Sequence, residues 1–318
     1  KPLFIKVLMS FCALFIIHFT YMIYEGHRGN NEVLLGPFFG FMYGPLYFLY
    51  TLSLVKEKVV LKTFTYHFLP AMLFAITLFF NDKILETFTF LGIVVTGHFI
   101  IYLLLSLRRI YSYRKLLKNT KSSFHDISLS WLEIIIFIQF FTILVMLIES
   151  YFQTVITTDY IISVIFLLAL ILINCFYYLG LKQVTLFKGL EENNSVEETV
   201  NEYKISDELF DSYIEKLNAY LENEKPYLEF NISLNDLANN LSISPRNLSH
   251  IINKKFKMNF FDYINSFRLK LVKEELKNSQ KPIKEIMYNC GFSNKATFNA
   301  IFKKATGYTP SQYRQQKK

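Results

Sequence analysis

The sequence has few of the residues that cross-link or interrupt a chain, with 3 cysteines, 11 glycines and 8 prolines among 318 residues. Cys12, Cys175 and Cys290 lie far apart, which excludes a disulfide scaffold and a zinc site built from cysteine pairs. The low glycine and proline content, beside 33 phenylalanines and 21 tyrosines, excludes collagen-like, low-complexity and disordered chains. We interpret Cys290 as a small buried apolar residue and not as a redox centre.

Charge is also scarce, and it falls into three blocks. Charged residues make up 19% of the chain and hydrophobic residues 52%. Residues 1–188 carry a net charge of +6, residues 189–225 of −8 and residues 226–318 of +10, which gives +8 for the whole chain. The basic C-terminal block indicates an anionic partner. The predicted regions are a transmembrane domain (1–181), an acidic connector (182–231) and a basic head (232–318).

Six apolar stretches in the first region are long enough to cross a bilayer as helices, which takes about 20 residues each. Six in a row, without amphipathic alternation, favour a membrane domain over a soluble core. The first stretch ends without a small-residue cleavage site, so we expect it to be retained and not removed as a signal peptide. The predicted spans are Leu3–Tyr24, Leu34–Val55, Thr63–Phe80, Thr87–Leu107, Leu129–Ile148 and Tyr160–Leu181.

The loops between these spans alternate between basic and basic-poor. The second and fourth loops contain 3 and 6 Lys or Arg residues, whereas the first and third contain 1 each and the fifth contains none. Basic loops stay on the cytoplasmic side of a membrane. The alternation therefore predicts a multi-pass protein of the cell (inner) membrane whose C-terminal head lies in the cytoplasm.

Few polar groups fall within the spans, and each is a candidate for sensing a signal, because burying it in lipid is costly. His98 has two interpretations, a hydrogen bond to another helix or a metal ligand. Gly40 and Gly44 in the second span permit either a hinge or a close helix contact. We find no metal-spaced residues, phosphate loop or nucleophile motif, so we expect no enzyme, metal or cofactor. The polar candidates are His18, His98, Glu133, Gln139, Glu149 and Asn174.

The head begins with two short helical patterns joined by a three-residue turn. Apolar residues at positions 234, 237, 238 and 241 share one helical face, and Ser233 suits the N-cap. After the turn, Ser244 and Pro245 suit the N-cap and the first position of a second helix. This is the layout of a helix-turn-helix unit, whose second helix enters the major groove of DNA. That second helix is the recognition helix of such units, and we call it the reading helix.

The same layout recurs towards the C-terminus. Pro282–Cys290 predicts a helix, Gly291–Ser293 a turn and Asn294–Lys304 a second reading helix. Between the two units, Phe260–Leu276 predicts a long amphipathic helix that serves as a spacer. Two units on one spacer can reach successive major-groove segments about one helical turn apart. The whole chain is therefore predicted to be all-α, and its head to bind double-stranded DNA.

These residues resemble the DNA-binding domain of the AraC/XylS transcriptional regulators over residues 232–314. The membrane half is similar to the multi-helix membrane region of a bacterial subgroup of that family, in the segments Gly44–Tyr50 and His67–Pro70. It departs from soluble members that carry a sugar-binding barrel, so their ligand chemistry does not transfer. The matching residues are Leu237, Ala238, Leu248, Phe260, Tyr263, Ile264 and Arg268, followed by the more specific set Gly291, Phe292, Phe298, Phe302, Lys303, Lys304, Gly307, Thr309, Pro310, Tyr313 and Arg314.

The resemblance implies that exposed residues near the start of each reading helix contact bases. Arg246 would pair with a guanine through two donors. Ala300 stands where some family members have a longer polar residue, which weakens readout by the last turn. Lys254 and Lys304 serve phosphates or simply face solvent. The DNA-binding residues predicted in this way are Arg246, Asn247, Ser249, His250, Asn253, Asn294, Lys295, Thr297, Asn299 and Lys303.

The acidic connector contains one helical pattern, from a cap at Ser206 to Glu224, and Pro226 ends it. Its apolar stripe either pairs with the same stripe of a second copy and relays a signal, or packs against the head of the same chain. Periodicity alone leaves both alternatives open. The stripe consists of Leu209, Phe210, Tyr213, Ile214, Leu217, Tyr220 and Leu221.

Taken together, the sequence predicts a membrane-embedded, noncatalytic, one-component transcription regulator. Its expected partners are double-stranded DNA, the lipid bilayer, a second copy in a homodimer and an unidentified signal ligand. The alternative is a membrane transporter or channel with a regulatory head. The spans show no internal repeat and no charged midplane cluster, which disfavours that alternative.

Overall fold

The computed structural model describes residues 3–27, 35–55, 65–80, 88–124, 127–152, 175, 178–180 and 207–316. Within these residues the regular structure is helical, which confirms the all-α prediction for this part of the chain. The longer helices are α1 (Leu3–His27), α2 (Gly36–Leu54), α3 (Leu69–Phe80), α4 (Phe88–Thr120), α5 (Ser130–Phe152), α6 (Asp207–Asn223), α7 (Leu234–Leu241), α8 (Pro245–Phe256), α9 (Phe260–Asn278), α10 (Ile283–Asn289), α11 (Lys295–Thr306) and α12 (Pro310–Gln316).

The chain divides into two compact units. Unit 1 comprises residues 1–113 and 129–193, and unit 2 comprises residues 114–128 and 194–318. The second unit therefore contains the predicted head and also a segment, Arg114–Ser128, that lies between two predicted spans. Sequence patterns give no sign that this segment belongs with the head.

Five of the six predicted spans overlap helices α1 to α5, and the third matches only a short helix, since Thr65–Phe68 is a 3₁₀ turn. Within the residues that the structure describes, three helical stretches are long and apolar enough to cross a membrane, namely Leu3–Tyr24, Leu91–Thr120 and Ser130–Ile148. The second and third predicted spans are α2, whose interior contains Pro45, and the short α3. The sixth, Tyr160–Leu181, lies almost entirely outside the described residues.

Helix α2 packs closely against α4 through its glycines. A Cβ atom at Gly44 would lie 2.8 Å from Cδ2 of Tyr102, and one at Gly40 would overlap the Val95 side chain. Contacts this short require the absence of a side chain. The geometry therefore favours the close helix contact over the hinge.

Histidines of unit 1 contact tyrosines and other aromatic rings. His18 Nδ1 lies 2.9 Å from the Tyr43 hydroxyl, and His67 Nδ1 lies 2.7 Å from the Tyr102 hydroxyl. The hydrogen bond expected for His98 is not formed with any described residue, since both of its buried ring nitrogens lack a partner there. Its ring instead contacts Tyr102, with 4.9 Å between centroids. The interpretation of His98 as a metal ligand has no support among the described residues, because they contain no group of three metal-ligating side chains.

The head has two hydrophobic clusters that meet along the spacer helix α9. The first contains buried residues of α7 and α8 around Tyr263 and Ile264, and the second contains those of α10 and α11 around Val272 and Leu276. Each helix-turn-helix unit thus has its own core, and one helix holds both.

Helix α6 belongs to the first of these clusters. Leu217 and Leu221 are buried in it, and Tyr213 and Tyr220 pack against it. Of the two alternatives for the acidic helix, the structure shows packing against the head of the same chain. The predicted connector boundary at residue 231 therefore cuts through a single hydrophobic core, because periodicity shows which face is apolar and not what covers it.

Candidate nucleic-acid interface

The first helix-turn-helix unit is held in place by two caps. Ser233 Oγ accepts from the Asp236 backbone N–H at 3.2 Å, and the Asp236 carboxylate accepts from the Ser233 backbone N–H at 2.9 Å, which forms a capping box for α7. Ser244 Oγ accepts from the Asn247 N–H at 3.2 Å at the start of α8, where Pro245 occupies the first turn. The predicted caps and helix starts are thus confirmed.

The reading helix α8 has one buried and one exposed face. Its apolar face lies in the core through Leu248, Ile251 and Ile252. On the opposite face Arg246, His250 and Asn253 are exposed. The structure therefore brings these three predicted contact residues together on one solvent-facing surface.

The remaining predicted DNA-contact residues of α8 are less exposed to solvent. Asn247 and Ser249 are partly buried. The Asn253 amide donates to the Ser249 carbonyl at 2.9 Å and to the Ser249 hydroxyl at 3.3 Å. The Ser249 hydroxyl and the Asn253 amide nitrogen are thus already hydrogen-bonded to each other.

Helix α6 reaches the exposed face of α8 with Phe210. The Phe210 ring lies 6.4 Å from the His250 ring and 4.8 Å from the Lys254 ammonium. These are an edge-to-face ring contact and a cation–π contact. Both side chains are thereby positioned by a residue that the sequence reasoning had placed in the connector.

The second unit turns at a glycine that no other residue can replace. Gly291 has φ +83°, and a Cβ there would lie 2.5 Å from the Tyr227 carbonyl oxygen and 3.0 Å from Arg268 Nε. The turn thus packs directly on the 3₁₀ turn Pro226–Leu228. This close approach explains a glycine where the sequence shows only a turn.

The second reading helix α11 is capped by Asn294, one of the predicted DNA contacts. Its Oδ1 accepts from the Thr297 backbone N–H at 3.0 Å, so this oxygen serves as the N-cap of the helix. Thr297 and Asn299 are partly buried, whereas Lys295 and Lys303 are exposed.

The exposed face of α11 contains two alanines between these lysines. Phe298 and Phe302 are buried, and Ala296 and Ala300 are exposed. Sequence reasoning singled out Ala300 but missed Ala296, although the spacing of four residues places both on one helical face. Alanine provides a methyl surface and no hydrogen-bonding group.

Basic side chains follow both reading helices. Lys254 and Lys255 lie in the last turn of α8, and Lys303 and Lys304 in the last turn of α11, all of them exposed. Ammonium groups in these positions suit phosphate oxygens, which position a protein on DNA without reading its sequence.

Arg268 and Cys290 are ionisable residues buried at the centre of the head. Burial lowers the pKa of Arg268 to about 10, so its guanidinium remains charged at neutral pH. Burial, reinforced by Glu275 and opposed by Lys281, raises the pKa of the Cys290 thiol to about 11. The Cys290 thiol is therefore protonated at neutral pH, and it is only 2% exposed, which agrees with a packing role.

Comparison with known proteins supports this interpretation of the head. Residues 237–316 match the family described as "Helix-turn-helix domain". The chain is 28% identical over 149 residues to the uncharacterized HTH-type transcriptional regulator YtdP of Bacillus subtilis, covering 41% of this chain and 19% of that protein. It is 29% identical over 84 residues to the arabinose operon regulatory protein of Escherichia coli, covering 26% of this chain and 29% of the relative.

A solved structure matches as well. The C-terminal domain of AraT, a response regulator from Geobacillus stearothermophilus, is 26% identical, with 33% of this chain and 84% of that chain covered and a TM-score of 0.30. The chain spans less than a third of the length of the two curated relatives above. The C-terminal part of the chain is a helix-turn-helix DNA-binding domain of the AraC type, and its relatives through this domain are transcriptional regulators.

Proposed function

We propose that the chain is a membrane-embedded, one-component transcription regulator that binds specific double-stranded DNA through both helix-turn-helix units. The observation that carries this proposal is the pair of reading helices, each capped at its start and buried along one face. Each presents exposed residues on the other face, among them Arg246 and His250 on α8 and Lys303 on α11. This arrangement suits the major groove.

The exposed residues fall into two groups, one suited to bases and one suited to phosphates. Arg246 is the residue best suited to a guanine, because its guanidinium donates two parallel hydrogen bonds to O6 and N7. His250 and Asn253 follow Arg246 along the same exposed face of α8. Lys254 and Lys303 bind phosphates, so they contribute affinity and salt dependence and little sequence preference.

The N-terminal unit anchors this regulator in the cell (inner) membrane. Three long apolar helices support the anchoring by length and composition. The alternation of basic and basic-poor loops supports a cytoplasmic head. Within the bilayer the unit would respond to an unidentified ligand or to the state of the membrane, and a second copy of the chain would bind the second half of a symmetric site.

A selection of DNA from a random pool tests the proposal. The full chain, held in lipid nanodiscs, is incubated with random duplexes at about 0.15 M salt, where screening suppresses nonspecific binding. For each bound chain we expect two recognised segments about one helical turn apart, and a second copy would repeat them in a symmetric motif. The Arg246→Ala variant should lose the preference at one position and keep the rest. A pool that shows no enrichment above the nonspecific background would refute sequence-specific binding.

A further inference from the structure

The head is contacted by a short extended segment that precedes it in the chain by more than a hundred residues. Lys121 forms an isolated antiparallel bridge with Ser233, the N-cap of α7. The Ser122 backbone N–H donates to the Ile232 carbonyl at 3.1 Å. We call residues 121–124 the docking segment. It follows directly on α4 and belongs to the same compact unit as the head.

Arg268 on the spacer helix holds this segment. Its Nη1 donates to the Ser122 carbonyl at 3.4 Å, and its Nη2 donates to the Ser122 hydroxyl at 3.3 Å. Within the head itself, Arg268 Nε donates to the Tyr227 carbonyl and Nη2 to the Glu229 carbonyl, both at 2.7 Å. Ser122 and Arg268 are each only 1% exposed.

A ring contact extends the attachment by two residues. Phe124 packs against Phe261 of α9 with 4.9 Å between centroids. The head thus offers a bridge partner, a buried guanidinium and an aromatic ring side by side. All three are occupied by consecutive parts of one segment.

The chemistry of Arg268 shows why this surface needs an occupant. A guanidinium has five N–H donors and no acceptor, and a buried donor without a partner is costly. Apart from the docking segment, the acceptors of Arg268 among the described residues are two carbonyls and the Asn265 side chain, at 3.3 Å from Nη1. Removing Ser122 would withdraw two acceptors and open the site to water.

We propose that Arg268, Ile232–Ser233 and Phe261 form a docking surface on the DNA-binding head, and that its occupant is segment 121–124 of the same chain. Since α4 runs unbroken from Phe88 to Thr120, a displacement of this helix would act on the docked segment. Docking therefore controls how the head works as a regulator. This last step rests on the proposed function, whereas the contact itself does not.

The docking surface leaves the reading helices open. Its residues lie at the start of α7 and on α9, and the docking contacts described above use none of the exposed residues of α8 and α11. Release of the segment should consequently leave the intrinsic DNA affinity unchanged and alter the regulatory output.

Hydrogen exchange on the full chain in nanodiscs, without DNA, tests the contact. The release variant combines Ser122→Pro with Phe124→Ala. The first change removes the Ser122 N–H that donates to the Ile232 carbonyl, and the second removes the Phe124 ring that contacts Phe261. Ser123→Ala is the matched control, because the Ser123 hydroxyl forms no hydrogen bond with the described residues. We expect the amides of residues 227–233 to exchange at least about tenfold faster in the release variant only. Equal exchange in the wild type and the release variant would overturn the docking surface.

The same variants then test the regulatory step with the DNA site selected from the pool. Affinity in vitro should stay within about twofold of wild type. Output from a reporter carrying the site should change at least about fivefold, the lower range of coupling between sites. Faster exchange with unchanged output would overturn the regulatory step and leave the docking contact standing. A failure to select any DNA site would instead overturn the proposed function.

Discussion

The two helix-turn-helix units share one scaffold. Each reading helix is preceded by an N-cap side chain that accepts from a backbone N–H three residues on, Ser244 before α8 and Asn294 before α11. Each is 12 residues long, buries large apolar side chains on one face and has a pair of lysines in its last turn. Scaffold alone therefore gives no reason to expect different roles.

Their exposed faces differ. Helix α8 presents Arg246, His250 and Asn253, whereas α11 presents Ala296 and Ala300 between lysines. We therefore expect the first face to donate most of the hydrogen bonds to base edges, and the second to contribute mainly methyl and phosphate contacts. Two units with the same scaffold can thus expose different chemistry to DNA.

The shared scaffold is tested by truncating one core residue in each unit. We expect Phe302→Ala to cost about 3–5 kcal/mol of unfolding free energy and Leu248→Ala about 2–5 kcal/mol, because both side chains are fully buried. Hydrogen exchange of the head amides in the full chain measures both. A loss confined to one variant would show that the units are not equivalent in stability.

The hydrogen-bonding role of α8 is tested at Arg246. Arg246→Ala should reduce discrimination at one base pair by about 1–3 kcal/mol, since a bidentate contact to guanine is lost. Lys303→Ala on α11 is the matched control and should weaken binding to all sequences alike, with a shallower salt dependence. Competition binding with single-base variants of the site measures the two effects. Equal loss of discrimination in both variants would remove the distinction between the helices.

The role of Asn294 is tested by separating its cap from any base contact. Asn294→Ala should cost about 1 kcal/mol of stability, as should Ser244→Ala. Asn294→Ser keeps a capping oxygen and should leave both stability and base preference close to wild type. A normal stability with a changed base preference in Asn294→Ser would show that Asn294 reads a base after all.

The smallest expected effect concerns the alanines of α11. We expect Ala296 and Ala300 to contact thymine methyl groups, each worth about 0.5–1 kcal/mol from the apolar surface buried. Uracil in place of thymine in the segment facing α11 removes these methyls and should weaken binding accordingly. The same replacement in the segment facing α8 serves as the control, and an equal loss there would contradict the assignment.

The parts of the head that sequence could predict are local ones. Ser233, Ser244 and Pro245 mark helix starts, because capping involves residues within one turn. The inward residues Leu248, Ile251 and Ile252 follow from a period of 3.6. All of these predictions are confirmed.

The features of the head that the sequence could not predict depend on contacts between residues far apart in the chain. Two such contacts are Phe210 with Lys254 and Ser122 with Arg268. The two residues of each pair are far apart in the sequence, so no periodic pattern indicates that they meet. Asn294 was expected to contact DNA because it lies near the start of a reading helix, and only the structure shows its oxygen bound to Thr297 N–H. Positions on a helix follow from pattern, whereas the partners of each side chain follow from the fold.

The central claim, that both units bind one specific DNA site, is tested most directly by a salt titration. Affinity of the full chain in nanodiscs is measured for the selected site and for a scrambled duplex between about 0.05 and 0.2 M salt. We expect a preference for the selected site of at least about a thousandfold at physiological salt. Equal affinities with equal salt dependence for the two duplexes would contradict it.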